Sequence, residues 1–353
     1  MKVYQHVDEF HPYDGIGNDC RGIAKIFNQI GIENYIVTQR NFETDSTNVL
    51  DYQDSFKTYN NDIHILHYGG SGYPIEAFTE RRGNHFLRFH NITPPEYFRG
   101  FNAGVYASME KFYIKSILEL NSLERIVKLS ISDSAYNGIT LSQFSKIKST
   151  TIPIFRDYKL YERVQSETED LIFIGRLVPN KKIEDVLFLF KIWNTIYPNS
   201  KLNLIGSPVP GLEEYSLYLK DCIEKLKLDE NIIFYSKISD EVKAEIIQKS
   251  SAFVSMSDHE GFCIPIIEAM EQKIPVFSYS SAAVPETMRY GGVLFGRKDF
   301  TRIAELMNII LKDKEKFTSI INSQNRALQY YIDYPFNESL LNALNINHRV
   351  KVA

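Results

Sequence analysis

The sequence predicts an α/β protein made of two nucleotide-binding-type halves, and three observations predict it. Short apolar runs alternate with longer segments of helical periodicity through most of the chain, the pattern of βαβ units around parallel sheets. At 353 residues the chain exceeds what one hydrophobic core usually supports. Between Pro153 and Glu169 the apolar patterning fades and charge rises, which places a boundary there and gives domains of 1–155 and 156–331.

In the first half, Lys2 to Val7, Tyr35 to Thr38, Ile63 to Tyr68, Phe86 to His90 and Ile126 to Ile131 read as strands. Cys20 to Ile30 carries Ile23, Ile26, Phe27 and Ile30 at helical spacing. In the second half, strands are expected at Leu171 to Ile174, Lys201 to Ile205, Ile232 to Tyr235, Ala252 to Met256 and Val276 to Tyr279. The helices between them are Ile183 to Ile196, Tyr215 to Leu226, Glu241 to Gln248 and Pro265 to Met270. One helical stretch runs from Phe300 towards Tyr331, and a last segment covers Glu338 to Ile346.

Composition narrows the function. Apolar and charged fractions of 44% and 24% are those of a folded domain, and a net charge of −4 without a basic block argues against nucleic-acid binding. The cysteines, Cys20, Cys222 and Cys263, are scattered and lack a CxxC pair, so a disulfide framework or a cysteine zinc site is not expected and a reducing cytosol fits. The opening run is charged by its eighth residue and reads as a strand rather than a signal peptide, and no run approaches the ~20 apolar residues of a membrane span.

Four segments can carry chemistry. At the end of the strand Ala252 to Met256, polar Ser257, Asp258 and His259 lead into Glu260-Gly-Phe-Cys-Ile-Pro-Ile-Ile-Glu268. Functional loops of open α/β sheets lie at such strand ends. Pro265 suits a first helical turn, and amides near Gly261, Phe262, Cys263 and Ile264 would face an anion such as a diphosphate. Glu268, an acceptor one turn into the helix, suits paired ribose hydroxyls, and Glu260 can reach hydroxyls of a transferred sugar. The alternative is an acidic residue complementing a helix dipole beside a surface Glu.

The second segment is Phe173-Ile-Gly-Arg-Leu-Val-Pro-Asn-Lys-Lys182. Arg176 leaves a strand end after Gly175, while Lys181 and Lys182 stand at a helix start, where a phosphate partner would offset the unfavourable dipole. A solvated Lys pair is the alternative. The third is His11-Pro-Tyr-Asp-Gly-Ile-Gly-Asn-Asp-Cys20, whose Gly15 and Gly17 begin a GxGxxG pattern that Cys20 breaks. The fourth is Phe86-Leu-Arg-Phe-His90-Asn91, a strand stopping at a His that can donate to a reacting sugar or be satisfied by nearby backbone.

At these residues the sequence resembles the family 4 retaining glycosyltransferases, which have the two-Rossmann GT-B architecture. Glu260 and Glu268 reproduce the family's Glu-seven-residues-Glu hallmark, with Gly-Phe after the first Glu. Gly175-Arg-Leu-Val-Pro-Asn-Lys181 resembles its donor-phosphate motif, although Lys182 stands where Gly usually follows, so Lys181 is preferred over Lys182. Asp14-Gly-Ile-Gly-Asn18, His67-Tyr-Gly-Gly-Ser71 and Arg88-Phe-His-Asn-Ile-Thr-Pro-Pro-Glu-Tyr-Phe98 resemble a bacterial and archaeal branch acting in surface-polysaccharide assembly.

The resemblance implies two Rossmann-like domains facing a cleft, the first binding the acceptor and the second a GDP- or UDP-linked sugar. It also implies that 332–353 crosses back to the first domain. The expected reaction moves a hexosyl group, such as mannosyl, to a saccharide or lipid-linked glycan with retention of configuration. Arg176 and Lys181 would hold the leaving diphosphate, and Glu260 and His90 the sugar. No DxD-like pair is placed for Mg²⁺, so no metal or cofactor is expected. The competing readings are a GT-B sugar-nucleotide epimerase and a noncatalytic sugar-nucleotide-binding protein. A cytoplasmic enzyme in peripheral contact with the membrane is a subsidiary expectation. It rests on Tyr97, Phe98, Phe101, Tyr106, Phe112 and Tyr113 interleaved with Arg99, Lys111 and Lys115, which an amphipathic core helix explains equally well.

Overall fold

A computed structural model describes residues 1–12, 14–42, 48–163 and 168–346. Tyr13, in the glycine-containing segment, and 347–353, in the segment expected to cross back, lie outside these. The chain divides into two compact units, Met1–Thr93 with Glu110–Asp157 and Tyr334–Ala353, and Pro94–Met109 with Tyr158–Asp333.

The first unit runs β1 (Val3–Phe10), α1 (Gly15–Gln29), β2 (Asn34–Asn41), β3 (Val49–Asp51), β4 (Ile63–Tyr68), α2 (Ile75–Thr79) and β5 (Asn84–Phe89). It continues through α3 (Ala103–Leu123), β6 (Val127–Ser132), α4 (Ala135–Phe144) and β7 (Ser149–Thr151), although α3 up to Met109 groups with the second unit. The strands pair in parallel in the order β3-β2-β1-β4-β5-β6-β7, which reverses direction between β1 and β4. Alternation along the strands feeds two cores. Val3, Ile63, Ile65 and Phe86 pack with Ile23, Ile26 and Phe27 of α1, and Leu66, Leu87 and Phe89 pack with Leu120, Leu123 and Leu141.

The second unit runs β8 (Leu171–Ile174), α5 (Ile183–Ile196), β9 (Leu202–Ile205), α6 (Glu213–Leu226), β10 (Ile232–Tyr235), α7 (Asp240–Lys249) and β11 (Ala252–Ser255). There follow α8 (Ile264–Glu271), β12 (Val276–Tyr279), α9 (Val284–Met288), β13 (Val293–Phe295), α10 (Phe300–Lys312) and α11 (Lys314–Ile332). Its parallel order, β10-β9-β8-β11-β12-β13, reverses between β8 and β11. After α11 the chain returns to the first unit, where Leu340 and Leu341 of α12 (Phe336–Ala343) complete the core beside α1.

Two readings from sequence change. The single helix expected beyond Phe300 is two, because the backbone of Asp313 leaves helical geometry and its carboxylate caps α11 by accepting from the amides of Glu315 and Lys316. Helix α1 begins five residues before Cys20, where Asp14 accepts from the Gly17 amide at 2.6 Å. Of the six aromatics singled out in 97–113, five pack on cores and Tyr106 lies against Arg99. Phe98 is buried in the second unit with Tyr97 and Phe101 against it, while Phe112 and Tyr113 pack on the first unit's core.

One face of the first sheet is lined by buried histidines. Their hydrogen bonds run in one direction: Tyr73 Oη to His6 Nδ1 at 2.8 Å, His6 Nε2 to His64 Nδ1 at 2.9 Å, and His64 Nε2 to the Arg82 carbonyl at 3.1 Å. His85 bonds the Phe78 carbonyl at 3.0 Å. Burial, reinforced by neighbouring histidines, holds His64 down to about 4 and lowers His6, and burial also lowers His85. Because these folded-state values lie below the ordinary His value of about 6.5, their contribution is full above that pH and is lost as pH falls through it towards the folded values. Each such His removes up to about 1.4 kcal/mol per pH unit in that window. The urea midpoint of the protein is therefore expected to be level from pH 8 to 7 and to fall steeply from 6.5 to 5, above the carboxylate range. A midpoint unchanged to pH 5 would contradict the neutral histidine chain.

Candidate functional site

A parallel sheet that reverses its winding direction leaves the loops at the carboxyl ends of its two central strands diverging, and the crevice they flank is where such sheets bind ligands. In the second unit those strands are β8 and β11, and the segments that follow are the two motifs singled out above. The strand end after β8 is set by a backbone contact. Gly175 donates its amide to the Ile205 carbonyl, and a Cβ on Gly206 would lie 1.9 Å from the Gly175 oxygen. Arg176 then projects with an exposed side chain.

A 3-10 turn over Pro179–Lys181 brings this loop to the one after β11. Asn180 ties the two together, its carbonyl accepting from the Asp258 amide at 2.9 Å and its Nδ2 donating to the His259 carbonyl at 3.1 Å. Lys181 Nζ lies 2.7 Å from Glu260 Oε2, both side chains largely buried at 17% and 8% exposure. Lys182 has φ +51°, the left-handed region that favours glycine. Its side chain turns to Glu184 and Asp258, at 3.4 and 3.9 Å. The backbone thus explains why a glycine is usual at this position, and it puts Lys181, not Lys182, beside Glu260.

The loop after β11 is held from its other side. The Glu260 carbonyl accepts from the Ala283 amide, and the Phe262 carbonyl accepts from the Thr287 hydroxyl. Cys263 also adopts the left-handed region, at φ +73°, which turns the chain sharply into α8, with Ile264 and Pro265 in its first turn. First-turn amides have no acceptor within their own helix, so a negative group placed there is favoured. Burial pushes the Cys263 thiol well above its ordinary range, leaving it protonated. Glu268, one turn on, accepts from Lys243 Nζ at 2.8 Å, and Lys243 also reaches Asp240 at 2.8 Å. Burial works against the Lys243 cation, but the two carboxylates outweigh it and raise its pKa. Burial lowers His259 to about 4, so it is neutral at physiological pH.

The first unit gathers a second polar group at the ends of β4, β5 and β6. His90 follows β5 and gives Nδ1 to Asp133 Oδ2 at 2.8 Å, while its Nε2 lies 3.1 Å from His67 Nδ1. Arg88 is fully buried and grips Asp19 of α1 through Nε at 2.7 Å and Nη2 at 2.9 Å. Burial works against the Asp19 charge, and Arg88 overcomes it, holding the carboxyl below its usual range. Gly15 and Gly17 lie in the first turn of α1. A Cβ on Gly17 would meet the His11 carbonyl at 2.1 Å, so local packing accounts for that glycine.

The structure therefore brings Lys181, Glu260 and the first turn of α8 together, places Arg176 at the adjoining strand end, and sets Glu268 one turn away. Although Asn180, Asp19 and His67 fall inside segments quoted above, no role was assigned from sequence to Asn180, Lys243, Asp19, His67 or Asp133. His67 is reached through strand register, as the paired neighbour of Arg88 on β4 and β5, while Asp19 joins them from α1 and Asp133 from the end of β6.

Residues 159–326, all within the second unit, match the family model described as glycosyl transferases group 1. The second unit is similar to the group 1 glycosyl transferases. The chain is 23% identical over 218 residues to the O-antigen chain mannosyltransferase RfbU of Salmonella typhimurium, covering 61% of this chain and 58% of that one. It is 26% identical over 252 residues to the capsular polysaccharide biosynthesis glycosyltransferase CapM of Staphylococcus aureus, covering 68% and 62%. The chain thus spans about three fifths of the length of these curated relatives. Its fold matches that of the pneumococcal O-GlcNAc transferase GtfA, solved with UDP and GlcNAc, with a TM-score of 0.74 over 98% of both chains at 9% identity. The two-Rossmann GT-B fold that the resemblance implied is the observed one, and RfbU and CapM are the relatives that carry the resemblance to glycosyltransferases of surface-polysaccharide assembly.

Within the second unit, the Gly206 contact gives a direct check on the β8 strand end. Gly206→Ala is expected to cost about 2–4 kcal/mol, because rigid backbone opposes the new methyl group. Gly296→Ala, where a Cβ meets nothing within 4 Å, is expected to be neutral. Equal midpoints for the two variants in urea would contradict the close approach of Gly175 and Gly206.

Proposed function

We propose that the protein transfers a hexosyl group, such as mannosyl, from a GDP- or UDP-linked sugar to a saccharide or lipid-linked glycan acceptor in cell-surface polysaccharide assembly. The observation that carries this reading is the meeting of Lys181, Glu260 and the first turn of α8 at the switch point of the second sheet. GtfA was solved with UDP, and RfbU and CapM are named for O-antigen mannosyl transfer and capsule synthesis, which supports a nucleotide-linked donor and a glycan acceptor.

In this reading the second unit holds the donor and the first unit the acceptor. The α8 amides of Phe262 to Ile264, Arg176 and Lys181 take the diphosphate. An ammonium has three donors, so Lys181 can keep Glu260 and still reach a phosphate oxygen. Its pairing also removes the repulsion that a bare Glu260 would exert on the donor. Glu260 accepts from sugar hydroxyls, Glu268 from ribose hydroxyls, and His90 contacts the transferring sugar. The anomeric carbon–phosphate oxygen bond breaks and a bond to the acceptor oxygen forms on the same face. The acceptor proton leaves on the departing diphosphate, so Arg176 and Lys181, rather than a metal ion, stabilise the leaving charge.

A panel of GDP- and UDP-linked sugars assayed for nucleotide release, with and without glycan acceptors, tests the reading. Acceptor-dependent release that survives EDTA is expected. Glu260→Ala and Arg176→Ala should each lower kcat more than tenfold, which corresponds to ~1.4 kcal/mol or more of transition-state stabilisation. Near-normal turnover in either variant would remove its assigned role. Interconversion of the donor without acceptor would favour an epimerase, and activity lost to EDTA and restored by Mn²⁺ would overturn metal independence.

A further inference from the structure

The polar centre of the first unit has a hydrogen-bond balance that one cation must complete. Gln5 Nε2 donates to the Cys20 carbonyl at 3.0 Å, which fixes Gln5 Oε1 as the acceptor facing His67 Nε2 at 3.0 Å. His67 therefore carries its proton on Nε2. Asp133 Oδ2, a carboxylate oxygen, likewise calls for the proton of His90 on Nδ1, at 2.8 Å. With both outer nitrogens protonated, the inner nitrogens, His67 Nδ1 and His90 Nε2, present lone pairs to each other across 3.1 Å. Asp19 Oδ2 adds a third lone pair, 3.7 Å from the first nitrogen and 3.9 Å from the second.

Charge points the same way. Asp19 and Asp133 are two carboxylates set against one guanidinium, since Arg88 bonds Asp19 and lies 3.0 Å from Asp133 Oδ1. The centre is thus short by one positive charge, which either a proton between the two rings or a metal ion can provide.

We propose that Asp19, His67 and His90 form a site for a divalent transition metal of the zinc class, in which the ion takes the place of the proton between the two imidazoles. A triangle with sides of 3.1, 3.7 and 3.9 Å has its centre about 2.1 Å from every corner, the distance at which zinc binds imidazole nitrogen and carboxylate oxygen. The outer partners are those that metal-bound ligands require: Gln5 Oε1 behind His67, the Asp133 carboxylate behind His90, and Arg88 with the Phe155 amide behind Asp19. Three protein ligands leave a fourth position for a solvent or anionic oxygen. His90 is the member that reaches the surface, its side chain 5% exposed against 0% for the other two, so entry is past its ring. The site uses no cysteine, which is why the cysteine count gave no sign of it. Metal binding here is independent of the proposed transfer reaction. Only its consequence rests on that reading: an ion held by His90 Nε2 takes that ring from the sugar and inhibits transfer.

Equilibrium dialysis of the full chain against Zn²⁺ alone, with Co²⁺ as a spectroscopic substitute, tests the site. One tightly held zinc per chain is expected, with affinity falling at least tenfold in His67→Gln and in His90→Gln variants whose thermal unfolding remains cooperative. In the wild-type protein, Co²⁺ should give visible bands of tetrahedral intensity. Two paramagnetically shifted exchangeable ring N–H resonances should accompany them, one from each histidine. Zinc binding unchanged in either folded variant, or weak octahedral cobalt bands without the shifted N–H pair, would overturn the proposal. The wild-type cobalt measurement decides the matter even if a variant fails to fold.

Discussion

Charge held at the carboxyl end of a buried parallel sheet has to be paired, and the pairing of Lys181 with Glu260 is the interaction on which the second unit's site depends. The two residues belong to loops that leave adjacent strands, β8 and β11, in diverging directions. Without a link, each loop would set its own course. Asn180 locks the backbones, Lys181 locks the side chains, and the left-handed turns at Lys182 and Cys263 let both chains enter their helices immediately afterwards. Basic and acidic groups are thereby fixed beside the amides of α8 before any ligand arrives. Such preorganisation is what electrostatic catalysis requires.

The first unit meets the same constraint with a different set of residues. Arg88 stands on a central strand with no exposure and is neutralised from both sides, by Asp19 of α1 and by Asp133 beyond β6. Breaking one such buried pair leaves an uncompensated charge, at a cost of several kcal/mol. The network is therefore structural as well as positional. It fixes how α1 lies on the sheet and orients both rings of the His67 and His90 pair.

The sequence made the second unit's site largely legible because its members lie close together in the chain. Glu260 and Glu268 are separated by one loop and one helical turn, and Gly175 to Lys181 by one strand end, so spacing alone conveys geometry. The choice between Lys181 and Lys182 gained a physical basis only from the backbone, where the positive φ at Lys182 shows which residue takes the glycine-like position. Lys243 was hidden because a Lys on an amphipathic helix reads as solvated until α7 and α8 are seen to place it against Glu268. Asp19, His67 and Asp133 were hidden for a related reason. They lie on three separate elements, and only the parallel register of β4, β5 and β6, with α1 across them, makes them neighbours. The break at Asp313 was missed because apolar periodicity continues on both sides of a single capping residue.

The central claim is that the switch point of the second sheet receives a nucleotide diphosphate. Hydrogen–deuterium exchange of the full chain with saturating UDP or GDP tests it most directly. The account predicts slowed exchange in peptides covering 175–182 and 260–268, and loss of that protection for 260–268 in a Lys181→Met variant that folds normally. Protection confined to other segments, or nucleotide binding that leaves both of these peptides unchanged, would contradict it.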